Sequence, residues 1–124
     1  MFAAVVGMAA ACDRPLPTTD DILSEWTLAP SAPAVDQPAL ARITLVDRTN
    51  GMPVRGAALR VEGHMSHPGM VPVIEAATEQ NAGEYAARIA LTMGGEWTLI
   101  VSGTLADGRS IRRDVARITT RPAN

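Results

Sequence analysis

Between Ala39 and Ile118 the apolar residues fall at every second position in short runs, and a turn signal closes most of them. That period of two is the mark of strands with one face buried, and it constrains the chain to pleated sheet. Ala41, Ile43 and Leu45 alternate with Arg42 and Thr44 ahead of Asn50-Gly51, a strong turn signal. Leu59 and Val61 alternate with Arg60 and Glu62. Tyr85, Ala87, Ile89 and Leu91 share one face, with Arg88 on the other. After Gly94-Gly95, Trp97, Leu99 and Val101 face one way, while Glu96, Thr98 and Ser102 face the other. Asp107-Gly108 makes a further turn before Ile111 to Ile118, where the apolar parity slips between Val115 and Ile118 as a bulge or an exposed edge would make it. Outside the N-terminal apolar segment no stretch has helical spacing. About seven short strands with turns between them predict an all-β, immunoglobulin-like antiparallel sandwich.

With 124 residues there is room for one domain. Apolar residues make up 47% of the chain, yet only 3% are aromatic, so the core must be built from Val, Ile, Leu and a few large anchors. Trp97 sits mid-alternation between glycines, where its area is best buried. Tyr85 opens its strand; its ring can pack while its hydroxyl bonds a nearby loop, as in the tyrosine corner of Greek-key sandwiches. A net charge of −2 gives no general attraction to nucleic acid.

Phe2 to Ala11 is apolar and small and runs directly into Cys12. Ten residues are too few to span a bilayer as a helix, but they suit the apolar part of a secretory signal. Ala9-Ala10-Ala11-Cys12 resembles the lipobox of bacterial lipoproteins, although Ala9 stands where leucine is usual and no basic residue precedes the apolar run. Cys12 is the chain's only cysteine, so no disulfide forms within the chain, and an unpaired thiol in an oxidising compartment is a liability unless modified. The expected organisation is a signal segment over 1–11, then a Pro-rich tether with a short first strand over 12–38. The sandwich is expected over 39–119 and a tail over 120–124. Such a chain would be periplasmic or otherwise extracytoplasmic, held to a membrane through a lipid on Cys12.

One constellation carries chemistry. Gly63 to Pro72 reads GHMSHPGMVP and holds both histidines, His64 and His67, with Met65 and Met70. Met93 lies in the turn after the Tyr85 strand. If each strand reverses direction, that turn and the end of the Leu59–Gly63 strand share one rim. Thioether sulfur is a soft ligand that favours Cu(I), and imidazole suits copper in either oxidation state. A zinc site would want more His, Cys or carboxylate ligands than this loop offers. The plainer alternative is that Met65, which has the parity of Leu59 and Val61, points inward as gap filler. Met93 would then plug the end of the core, and the histidines would be solvated surface.

The stretches Val61–Met70, Gly83–Tyr85 and Leu91–Val101, the last with Met93, Gly95 and Trp97 in place, resemble the YtkA-like domain family, whose general pattern FixH-type proteins share. The resemblance covers roughly Ala39 to Ile118, and MGGEWTLIVSG is its most specific piece. It implies an immunoglobulin-type sandwich exported to the cell envelope, often as a lipoprotein, in a setting similar to periplasmic copper proteins and accessory factors for copper-containing oxidases. It carries a Met/His loop onto Met65, His67 and Met70 and a strand-end methionine onto Met93; His64 is matched less closely. The function expected is copper binding through His64, Met65, His67, Met70 and Met93, with transfer to or from another envelope protein. The alternative is a metal-free interaction module using Arg109, Arg112, Arg113 and Arg117 on the last strand. Neither a nucleophile paired with a base, nor a phosphate-binding glycine loop, nor an HExxH motif is present, so no enzyme is expected.

Overall fold

The computed structural model describes residues 18–67 and 69–122. The expected signal segment over 1–11 and the expected lipid site at Cys12 lie outside the described residues. Eight strands follow one another: β1 (Ile22–Ala29), β2 (Ala39–Asp47), β3 (Ala58–Met65), β4 (Val73–Ala76), β5 (Thr78–Asn81), β6 (Glu84–Ile89), β7 (Gly95–Thr104) and β8 (Ser110–Thr120). They form two antiparallel four-stranded sheets, in the orders β1-β2-β6-β5 and β4-β3-β7-β8. This is the sandwich the alternation predicts, with eight strands in place of about seven.

The core follows the parity of the sequence. Ala41, Ile43 and Leu45 meet Leu59 and Val61 across the interlayer, with Tyr85, Ala87, Ile89 and Leu91, and with Trp97, Leu99 and Val101, all within one buried cluster. Trp97 and Tyr85 are its two largest fully buried side chains. Trp26 and Leu28 pack on it from β1. Because β1 is paired along its whole length with β2, from Ile22 opposite Asp47 to Ala29 opposite Leu40, the packed unit extends to Ile22. The 39–119 boundary expected from the sequence leaves that strand out.

Two strands that the alternation does not mark, β4 and β5, come from 73–81. Here the chain crosses from one sheet to the other: β4 pairs with β3, β5 pairs with β6, and Ala77 between them donates its N–H to the Leu59 carbonyl at 2.9 Å. In β8, Leu99 faces Ala116 and Ile100 faces Asp114, so Val115 is the extra residue of a bulge. That accounts for the slipped parity. Gly103 marks the closest backbone approach, since a Cβ there would run into the Ala58 carbonyl oxygen.

Tyr85 bridges sheet and loop. Its hydroxyl donates to the Val54 carbonyl at 2.8 Å and accepts from the Ala57 N–H at 3.0 Å, pinning the β2–β3 connection. Both partners are backbone groups of that connection, which passes between the sheets and carries the Asn50-Gly51 turn; Gly51 there has a φ of 73°.

Candidate metal site

Two chain segments build one end of the sandwich. β3 ends at Met65, which pairs with Trp97, and β7 begins at Gly95, just after the turn that holds Met93. The loop with His67 and Met70 and the turn with Met93 therefore leave the same rim, as alternating strand directions require. The 33–36 segment crosses this end too: Val35 N–H donates to the Arg121 carbonyl and Asp36 N–H to the Leu91 carbonyl.

Met65 is half-buried and packs against the core from the last position of β3. Its Cε lies 3.0 Å from where a Cβ on Gly95 would stand, so the glycine leaves the space that the thioether methyl fills. This is the inward direction its parity implies, at the edge of the interior. Met93 is not a plug: it is 44% exposed. Its backbone is held instead, because its carbonyl accepts from Trp97 Nε1 at 3.0 Å and from Thr120 Oγ1 at 2.7 Å. Met70 is half-buried and His67 exposed in the loop. The rim thus carries a fixed Met93 backbone, a seated Met65 and two further side chains, His67 and Met70, on a loop. Among the described residues no group of three or more His, Cys, Asp or Glu side chains is placed to hold a metal, so donors of that kind do not cluster here.

His64 points elsewhere. Adjacent residues on a strand face opposite ways, and His64 shares the outer face of β3 with Arg60 and Glu62. Its Nε2 lies 2.8 Å from Glu62 Oε1. Glu62 is the residue sequence reasoning missed. It has outward parity yet is only 6% exposed. Ser102 donates its hydroxyl to Oε2, Arg60 Nε approaches the same oxygen at 3.3 Å and Arg112 Nη1 at 3.5 Å. The Glu62 carboxyl is brought down to about 2; the Ser102 hydrogen bond is the largest cause, burial opposes it, and His64 and Arg112 add to the lowering. An ionised carboxylate only accepts, so Nε2 carries the proton shared with Glu62 Oε1. The signal was present in the sequence: Arg60 and His64 flank Glu62 two residues away on the same face.

The arginines expected to form a free basic surface are largely engaged within the domain. Arg113 donates to the Thr19 carbonyl at 2.6 Å and to the Ile22 carbonyl at 3.2 Å. Arg109 donates to the Thr18 carbonyl at 2.8 Å and pairs with Asp21 at 3.1 Å and Asp107 at 2.9 Å. Arg112 faces Glu62. Three of the four thus tie β8, or the turn just before it, to the 18–22 segment at the start of β1 or to the buried carboxylate. The clasp at Thr18–Ile22 also fixes where the chain enters the domain: beside the β7–β8 turn, opposite the methionine rim. The ten residues of β7 separate the two ends by about 33 Å.

Fold and rim together define an immunoglobulin-like sandwich with one thioether-bearing end. The chain belongs to the YtkA-like family, whose model matches residues 24–102, from within β1 to within β7. That membership supports a domain associated with the cell envelope. β8 and its arginines lie beyond the matched span. No curated protein matches the chain.

Proposed function

We propose that this domain binds Cu(I) as cargo at the methionine rim and passes it to or from another envelope protein. The observation that carries the reading is the meeting of Met65 with Gly95 at the rim where Met93 stands exposed. Thioethers Met65, Met70 and Met93 supply soft sulfur, and His67 on the same loop supplies an imidazole. This donor set favours Cu(I) over Zn(II), Mg(II) or Ca(II). Half-exposed sulfurs at a rim also suit reversible exchange, since an incoming ligand reaches the ion without unfolding the core.

The geometry around His64 favours binding over catalysis. Ser102 and His64 both bond the same carboxylate, and the imidazole does not stand between hydroxyl and carboxylate as a general base would. If Cys12 carries a lipid, chain entry at the opposite end directs the rim away from the membrane, toward a soluble partner.

A competition titration against a Cu(I) chelator tests the reading. The protein should take up Cu(I), and Met93→Leu should weaken it by roughly tenfold or more, about 1.4 kcal/mol. Equal retention by wild type and a Met65/Met70/Met93→Leu triple variant would remove the rim as the site.

A further inference from the structure

We infer that the outer face of the second sheet docks an acidic segment of another protein, whose carboxylates are taken by Arg60 and Arg112 above the buried Glu62. This surface is separate from the methionine rim and does not depend on copper.

β3, β7 and β8 lay three rows of outward side chains across this face. Arg60, Ser102 and Arg112 stand in one row, Glu62, Ile100 and Asp114 in the next, and His64, Thr98 and Arg117 in the third. Ile74 of β4 extends the middle row and is 51% exposed. Glu62 lies beneath its neighbours and gathers two guanidinium groups at one oxygen, since Arg60 Nε and Arg112 Nη1 both approach Oε2. Ser102 and His64 bond the same carboxylate and keep it in place. Two cations drawn to one anion leave a positive excess. Both arginines also stay about half exposed, with side chains 52% and 58% accessible. A guanidinium has five N–H donors, and Glu62 engages one on each, so both forks are held with donors to spare. That shape matches a carboxylate bidentately, and a side chain already held loses less freedom on binding.

The arginines of the clasp differ, because Arg109 and Arg113 bond the domain's own 18–22 segment. Arg117 is exposed and brings a third cation to the face, against one exposed carboxylate in these rows, Asp114. Exposed arginine beside exposed apolar area is the composition of a protein interface. A free anion or a lipid headgroup would satisfy the guanidinium groups and leave Ile74 in water. An acidic segment with an apolar side chain among its carboxylates satisfies both.

The experiment titrates the metal-free, 15N-labelled protein at low salt and follows backbone amides and arginine Nε–H groups by proton–nitrogen spectra. The probe is a capped five-residue peptide of four glutamates around a central leucine. Its glutamine counterpart, inorganic phosphate and phosphatidylglycerol vesicles are run beside it. The acidic peptide should shift the Arg60 and Arg112 Nε–H resonances and the amides of β3, β7 and β8 saturably, and added salt should weaken it. The double variant Arg60→Gln/Arg112→Gln should lose roughly tenfold in affinity. Arg117→Glu changes an exposed side chain outside the Glu62 network, and it should weaken the peptide even if the double variant fails to fold. Arg42→Gln, on the outer face of the first sheet, should leave binding unchanged. Equal binding of the glutamine peptide, or shifts centred on Arg42 and Arg88, overturns the proposal. Phosphate or vesicles that match the acidic peptide at these resonances overturn the assignment to a protein partner.

Discussion

The Trp97 indole N–H donates to the Met93 carbonyl at 3.0 Å, so the largest buried side chain of the core holds the turn that carries a candidate ligand. Core packing and rim geometry are one structure. Trp97→Phe keeps most of the buried area but removes that donor and leaves a gap, and should cost about 2 kcal/mol or more. It should also loosen the 92–95 turn. Chemical denaturation reads the first effect and amide hydrogen exchange at Gly94 and Gly95 the second; unchanged protection there would mean that Thr120 alone holds the turn.

Tyr85 closes the opposite end. Tyr85→Phe leaves the Ala57 N–H and the Val54 carbonyl without their partner and should cost roughly 1–3 kcal/mol. Urea denaturation of the variant measures it, and a loss confined to a few tenths would show that water replaces the hydroxyl.

Arg113 ties β8 to Thr19 and Ile22. Arg113→Ala should release the 18–22 segment, with a stability loss of about 1 kcal/mol, near the lower end for bonds to a charged donor. Limited proteolysis should then cut near Asp20 faster than in the wild type. Equal rates would mean that Arg109 suffices.

The pH dependence follows from Glu62. Its folded pKa of about 2 lies below the 4.5 ordinary for a glutamate. A depressed carboxyl stabilises the fold fully above the unfolded pKa and loses that contribution as pH falls through 4.5 toward 2. The difference corresponds to at most about 3 kcal/mol. Stability measured by urea at pH 7 and pH 3 should fall more in the wild type than in Glu62→Gln; parallel falls would place the acid sensitivity elsewhere.

The sequence showed the sandwich because each core strand has one buried face. Ile43, Tyr85 and Trp97 announce their direction by parity alone. β4 and β5 gave no such signal: Thr78–Asn81 is exposed at every position and Val73–Ala76 at all but one, so no alternation exists to read. Their strand character comes from edge pairing to β3 and β6. The rim was legible as far as chain direction settles it, which brought Met65 and Met93 to one end. Side-chain engagement was not legible. Arg113 meets partners more than ninety positions away, which no local pattern encodes. His64 and Met65, adjacent in the motif, divide between the outer face and the core edge because a strand separates neighbours.

Copper K-edge X-ray absorption of the Cu(I)-loaded protein tests the central claim most directly, because it counts the atoms bound to the ion. More than one sulfur neighbour together with nitrogen is the expected result, with sulfur lost stepwise as Met65, Met70 and Met93 are replaced by leucine. A metal environment of nitrogen and oxygen alone would contradict it.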